Sequence, residues 1–481
     1  MELLHGCVYA PCRFGYAFLK MVWFANLLFG LIFVLAAFRP AMALALIVLM
    51  LPLEQLIQSL NPVLLTSRTG LLAVNATTAT VAAIALTRVF LARMRPFQSF
   101  LTPTLAGSLL LLLWSSVTVL WTPSPNAVPA ILSGLPYMVL ALGVSQALLT
   151  DMDTAENSLR MILLVGTILC GLIILNPEFQ TRWGRLGFDL GGGIRSSALS
   201  LGEAGGITLM VGLLLRHNQG WASPLWNLLR LLGVLTGLYV GIQSGSRGQV
   251  LFAIAVAAAF YPFAAPIADV RRLVLSILGL TFLAVSALVL LSSLLYGFDA
   301  QRFSVDELLY GRSSTEGRIQ NVLVLLNAWA SHPFAWLFGL GFFAFNSLYS
   351  GQLDPYSHVV VADLLFEHGL IGASIGAFIL WTSTYSFIAL FRIYGGSPAH
   401  RAVVVTFLAL ATYTFLLSNK QGHLWGISST FFFLCAGGRL LARAPENPEM
   451  EDWLQDDHVK RLDGADPHHS HGEQPRMGPA K

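Results

Sequence analysis

Apolar runs separated by short polar connections recur along the chain, at about 22–38, 41–58, 71–91, 101–121, 130–149, 159–176, 198–215, 228–243, 249–267, 273–297, 369–391, 402–418 and 424–441. Each is near the length that a helix needs to cross a hydrocarbon core about 30 Å thick. The short alternating segments of a membrane barrel are absent. The pattern predicts an all-α fold: a polytopic helical membrane protein of about 12–13 transmembrane helices, with a large outer loop that contains short interfacial helices. An N-terminal segment 1–20 would precede transmembrane helices 1–10 in 21–298, the loop would occupy 299–368, and C-terminal transmembrane helices in 369–442 would lead to a tail, 443–481.

Composition agrees with the pattern. Of 481 residues 55% are hydrophobic and only 11% charged, and the mean hydropathy is +0.68, too little polar surface to cover a soluble globule of this size. The formal net charge of +3 is small, and the basic residues sit at segment ends, which gives no sign of a nucleic-acid partner. Cys7, Cys12, Cys170 and Cys435 lack metal or redox spacing, so neither a disulfide framework nor a zinc site is expected. No small-residue cleavage site follows the first apolar run, which is expected to be retained.

Charge also orients the segments. If they alternate, Arg88, Arg93 and Arg95, then Arg216, Arg271 with Arg272, and Arg392 with Arg401 share one face, which the excess of positive charge predicts to be cytoplasmic. The opposite face receives 121–129, 176–197, the turn 244–248, the long stretch 299–368 and 419–423. Thirteen crossings with a cytoplasmic C-terminus would put Arg13 and Lys20 on the outer face, which leaves the N-terminal topology open. From about 443 the sequence turns charged and proline-rich, as in a disordered cytoplasmic tail, and His468, His469 and His471 read as part of that solvated tail.

The outer stretch 299–369 carries Arg302, Arg312, Arg318, His332, Asp354, His358 and Glu367, and a long loop of this kind is ordinarily functional. Within it Ile319, Val322, Leu326 and Trp329 recur at helical spacing, which predicts an interfacial helix over 318–330. The segment 331–346 is apolar but interrupted by Pro333, Gly339 and Gly341, as in a re-entrant or capping piece. A helix is expected from Tyr356 to His368, ending at Gly369 in left-handed backbone. Asp363 and Glu367 then share a face at the outer interface, and His358 joins them only if it precedes the helix.

Two more outer elements are basic. The turn SGSRG, Ser244 to Gly248, sets Ser246 and two glycines beside Arg247, a fork-shaped group suited to phosphate. The glycine-rich stretch 184–206 carries Arg185, Arg195 and Glu203. Any one arginine at a membrane boundary is ordinarily an interfacial anchor, and Glu367 alone reads as a solvated helix residue. Together, cationic groups and a titratable histidine on one face suit transfer chemistry on a phosphorylated lipid.

The SGSRG turn, the segment TEGRIQNVLVLLNAWASHPFAWLFGLGFFAF and the segment SHVVVADLLFEHGLIG resemble, in this order, signature stretches of the O-antigen ligase and polymerase superfamily, bacterial inner-membrane glycosyltransferases. The resemblance covers about 180–390 and is most specific at His358, Glu367, Gly369 and Leu370 to Gly372. It departs from the family where Val359 replaces a frequent asparagine and where Ser-Leu-Gly-Glu replaces a Pro-Asn pair after Arg195.

The resemblance implies transfer of a glycan from undecaprenyl diphosphate to a hydroxyl acceptor, the lipid A core or a second lipid-linked glycan, at the periplasmic face, with no cofactor, nucleotide sugar or required metal. It implies catalytic roles for His358 and Arg247, with Arg195 also on the diphosphate. Arg185, Arg318, Glu367 and Ser246 are the further expected substrate-binding residues. Ligase and polymerase reactions share the donor and differ in the acceptor, and the motifs favour the ligase. A lipid-linked sugar transporter is the remaining alternative, but paired broken helices and intramembrane charges are not visible in the sequence.

Overall fold

Helix ends fall where the sequence supplies caps and breaks. Thr102 accepts the Leu105 N–H at 3.3 Å with Pro103 behind it, and Asp151 accepts the Thr154 N–H at 2.7 Å, each satisfying a donor that the first turn leaves open. The computed structural model describes residues 10–61, 64, 68–92, 94–176, 179–182, 185–187, 197–215, 223–244, 247–264, 312–348, 357–420 and 423–444.

In chain order the helices are α1 (Ala10–Phe38), α2 (Pro40–Val48), α3 (Met50–Leu60), α4 (Arg68–Leu91), α5 (Pro103–Thr118), α6 (Ala127–Leu148) and α7 (Met152–Leu175). A small antiparallel ribbon pairs Gln180–Arg182 with Arg185–Gly187. There follow α8 (Ala198–Leu214), α9 (Ser223–Gln243) and α10 (Arg247–Ala264), then four helices of the expected loop: α11 (Arg312–Ser331), α12 (Pro333–Phe338), α13 (Phe345–Leu348) and α14 (Val360–Phe366). The chain closes with α15 (Gly369–Tyr394), α16 (Pro398–Ser418) and α17 (Ser428–Arg443).

This is a polytopic helical membrane protein. Among the described residues 6 helices are long and apolar enough to cross a membrane, and α2 with α3 makes a seventh candidate, bent by 78° at Leu49. Shorter apolar helices of 10–17 residues, α5, α8 and α10 among them, fill the bundle between these. The long-span count is lower than the 12–13 segments expected because α5, α8 and α10 are too short to count by length alone and one expected segment is not among the described residues. The α8 run is apolar and almost wholly buried. The expected segment 273–297 and the tail beyond 444 lie outside the described residues, and α1 runs without a break through the expected boundary at 20.

The helices α8 and α9 approach backbone to backbone. A Cβ on Gly205 would lie 2.6 Å from the Gly237 carbonyl, and one on Gly237 would lie 2.6 Å from the Gly205 carbonyl. Bare glycine permits the close packing on which association in lipid depends. Large apolar side chains such as Leu27, Leu113 and Trp381 stand exposed on the flanks.

At one end Arg439, buried, donates to the carbonyls of Gln146 (3.0 Å), Leu149 (3.2 Å), Pro96 (2.8 Å) and Gln98. Arg443 donates to Thr150 and Met94, and Arg401 to Phe263. These guanidinium groups take up carbonyls near helix C-termini, where the dipole favours a cation. The opposite end carries the loop helices α11–α14.

A capping segment covers that second end, as expected for 331–346. Gly339, Gly341, Phe343 and Gly369 all have positive φ there. A Cβ on Gly369 would collide with the Leu337 carbonyl, and its φ is +70°. Gly369→Ala should therefore lower the unfolding midpoint of the purified protein by several degrees, since left-handed backbone alone costs about 1–2 kcal/mol for a residue with a Cβ. Gly30→Ala, in a helix with open space around it, should leave the midpoint unchanged or raise it slightly.

Candidate functional site

His358 precedes its helix, because α14 starts only at Val360. The expected helix over 356–368 is shortened at both ends: His358 takes φ 65°, and Glu367 and His368 turn out of the helix before Gly369. Buried Ser357 holds the N-terminal side. Its hydroxyl accepts the Val359 N–H at 3.0 Å and donates to the Asp363 carboxylate. The half-buried imidazole is thus carried on a strained residue, and such strain persists only where the surroundings over-determine it.

Asn419 fixes the same segment to the end of α16. Its Oδ1 accepts the Val361 N–H at 3.1 Å and its Nδ2 donates to the Phe415 carbonyl at 2.9 Å. One amide so satisfies an open donor of one helix and an open acceptor of another. The next residue, Lys420, lies over the start of α10: a Cβ on Gly248 would be 2.6 Å from its Nζ. On the other side of the SGSRG turn, Gln249 donates to the Leu199 carbonyl, and Ser244 and Gln249 pack against Gly202 of α8. The His358 segment, the SGSRG turn and the start of α8 therefore meet around 419–420.

The expected site residues fare differently. His358 lies in this assembly. Arg247 opens α10 beside Lys420, and Arg185 lies on the ribbon; the backbone of each is described and the side chain is not. Arg195 and Ser246 lie outside the described residues. Arg318 is half-buried on α11. That helix splits its expected apolar stripe: Val322, Leu325 and Trp329 pack with Phe345, Ala362 and Phe366 in a small core, whereas Ile319, Leu323 and Leu326 remain exposed.

Glu367 is not the solvated residue that its place in a loop suggests. It is 4% exposed, and its Oε2 and Oε1 accept the Phe343 and Phe345 N–H groups, each at 3.0 Å. The Glu367 carbonyl accepts the Gly341 N–H and the Phe366 carbonyl the Leu340 N–H, both at 2.9 Å. Thr118 and Thr122 of the α5 end hold the Phe342 N–H (3.0 Å) and carbonyl (2.7 Å). The Trp114 and Trp121 indoles donate to the His368 and Gly339 carbonyls, and Trp121 stacks edge-on against Phe334 and Phe338. Glu367 organises the cap beneath His358.

Burial governs the electrostatics here. It raises the Asp363 carboxyl, with the Ser357 hydrogen bond acting against it. It raises Glu367 more strongly; the Asp363 charge acts in the same sense, while N–H donors from Phe345, Phe343 and Ala344 oppose both. His368, wholly buried with Nδ1 3.1 Å from the Asp363 carbonyl, is lowered to about 4 by burial. His423, against Phe343 at 5.4 Å between ring centres, is lowered to about 4 by the same cause.

Sequence reasoning missed Asn419, Lys420, Ser357 and the two tryptophans. A signal existed for Lys420, since no other lysine falls between Lys20 and Lys460. Serine and asparagine in short connections carry no such mark. No protein-family model and no curated protein matches this sequence.

The depressed histidine gives a pH prediction. A group whose folded pKa is lowered contributes stability that is present above its unfolded value, ~6.5, and lost as pH falls through the folded one. The raised carboxyls Asp363 and Glu367 act oppositely, their contribution being present at low pH and lost as pH rises. Comparison with His368→Phe isolates the histidine: between pH ~7 and ~4 the wild type should lose up to about 3 kcal/mol more than the variant. Thermal or denaturant unfolding at both pH values measures this, and parallel curves would mean that His368 is not held neutral.

Proposed function

We propose that this protein is a bacterial inner-membrane glycosyltransferase of the O-antigen ligase type, moving a glycan from undecaprenyl diphosphate to a hydroxyl acceptor, the lipid A core, at the periplasmic face. The observation that carries the reading is that Asn419, bonded to Val361 three residues after His358, and Lys420, over Gly248 at the start of α10, are neighbours in one loop. A titratable group and the cationic start of α10 are thereby set around one loop, at the end of the bundle opposite the arginine staples.

The chemistry follows from that arrangement. The acceptor hydroxyl attacks the anomeric carbon, its proton passes to the His358 imidazole, and the bond from that carbon to the diphosphate oxygen breaks. The electron pair leaves with undecaprenyl diphosphate. Negative charge grows on the leaving group as the bond lengthens, so Arg247, Arg195 and Lys420 would stabilise the transition state more than the ground state. An arginine cannot shuttle protons at neutral pH, whereas an imidazole can. Glu367 takes a positioning role in this reading, holding the cap that supports His358.

A transport reading draws on one observation, the 78° break between α2 and α3, since discontinuous helices frame the sites of many transporters. The surface glycans and the undecaprenyl-linked pool of a strain lacking the protein distinguish the readings. Long chains accumulating on the carrier over bare lipid A core are expected. Single repeats on the carrier without long chains would mean a polymerase, and an unchanged profile would count against both and favour transport.

Restoring His358→Ala should leave transfer down by about 10²–10⁴-fold, the usual contribution of a positioned proton carrier. Arg247→Ala should lose about 10²–10³-fold. Correctly inserted variants with full transfer would overturn these roles.

A further inference from the structure

A cleft of about 140 Å³ lies beside this assembly, walled by Ser197, Ser200 and Glu203 of α8, Thr414 and Ser418 of α16 and Ser429 at the start of α17. Leu51, just past the break in the first bent pair, closes one side. The Ser197 and Gly426 lining residues are exposed, so the cleft reaches the surface. A smaller cavity of about 40 Å³ shares Ser200, Glu203 and Ser429 with it and extends along the break.

The walls are rich in acceptors. Ser429 donates its hydroxyl proton to Glu203 Oε1 at 2.6 Å, Ser200 donates to Gln55 at 3.0 Å, and Ser418 donates to the Phe415 carbonyl at 2.7 Å. Thr430, also in the lining, donates to the Thr414 carbonyl at 3.0 Å. With their protons so committed, these hydroxyls offer lone pairs to the cleft, beside one carboxylate. Among the described residues the lining holds no lysine, arginine or histidine.

Such a surface suits a neutral molecule with many hydroxyl donors. Its size sets a second bound: at ~10–15 Å³ for each water-sized group, the cleft takes roughly ten non-hydrogen positions, about one pyranose ring. Its place sets a third. Gly202, next to Glu203, packs on Ser244 and Gln249 at the SGSRG turn, and Ser418 adjoins Asn419.

We infer that the Glu203 cleft is a sugar subsite, which binds one ring of the glycan substrate through hydrogen bonds from its hydroxyls to Glu203, Ser200 and Ser429. This rests on the glycosyl-transfer reading and adds to it a recognition element that none of the basic residues supplies. The Glu203 carboxylate grips the ring by charge-assisted hydrogen bonds and has no part in bond breaking.

The test uses the full chain in lipid nanodiscs and saturation-transfer NMR. The probes are methyl glycosides of neutral hexoses, 6-deoxyhexoses, N-acetylhexosamines and a uronic acid, with undecaprenyl diphosphate and the chlorides of sodium and calcium as separate probes. At least one glycoside should bind the wild type saturably, and Glu203→Gln should weaken it about tenfold. Ser429→Ala should weaken it less, because the carboxylate is kept. Both variants should bind undecaprenyl diphosphate like the wild type, which shows that they are folded. In a transfer assay, a KM rise in Glu203→Gln confined to the lipid-linked donor assigns the ring to the donor, and one confined to the acceptor assigns it there; either supports the subsite.

Undecaprenyl diphosphate binding with no glycoside binding overturns the subsite and leaves the transferase reading standing. Binding of neither overturns both. Stabilisation by sodium or calcium that is lost in Glu203→Gln, with no glycoside bound, overturns the subsite in favour of a cation site.

Discussion

Glu367 holds the backbone N–H groups of Phe343 and Phe345 through its two carboxylate oxygens, and the geometry of this whole end of the bundle depends on it. The turn it grips has three left-handed residues, Gly339, Gly341 and Phe343; the Gly339 and Gly341 N–H groups go to the Ala335 and Glu367 carbonyls, and the Phe343 and Phe345 N–H groups go to the Glu367 carboxylate. Leaving such a donor buried and unpaired costs about 1–3 kcal/mol. A carboxylate with two acceptor oxygens takes two at once. The cap stays closed over α5 and α15 because one acidic side chain does what a stretch of secondary structure would otherwise do.

That constraint passes to His358 along the chain. Glu367 and His368 leave α14 at its C-terminal end to meet the cap, and Ser357 and Asp363 close its N-terminal end. The seven residues of α14 are thus tied at both ends, and Asn419 ties them to the transmembrane bundle. The left-handed backbone of His358 costs about 1–2 kcal/mol for a residue with a Cβ, within what these hydrogen bonds supply together. On the proposed reading, rigidity of this kind suits a group that meets its substrate in a fixed geometry.

The fold was largely legible because lipid makes the apolar runs long, and the described apolar runs form helices. What hydropathy could not tell was which runs face lipid and which face protein; α8 reads as a span and is buried on all sides. The left-handed Gly369 was readable from glycine chemistry, whereas the expected helix from Tyr356 included His358, which in fact precedes α14. The state of Glu367 was not readable, because its partners are backbone groups of Phe343 and Phe345, more than twenty residues earlier, which no sequence pattern marks. The break at Leu49 had a local signal that hydropathy passed over: Pro52 has no N–H for the Val48 carbonyl and its ring crowds that carbonyl, and α2 ends at Val48.

On the proposed reading, the sorting of polar groups at this end bears on how a substrate lies. Cations at the start of α10 and at Lys420 attract the diphosphate in that reading, while the Glu203 cleft on the far side of Gly202 favours hydroxyl donors through its excess of acceptors. A lipid-linked glycan carries both chemistries on one molecule, diphosphate at one end and hydroxyls at the other. Two adjoining surfaces of opposite preference would therefore fix which way it lies without any contact specific to a given sugar. Orientation would come first from this coarse electrostatic sorting and only then from individual hydrogen bonds, so the sugar could change while the placement of the bond to be broken stayed the same.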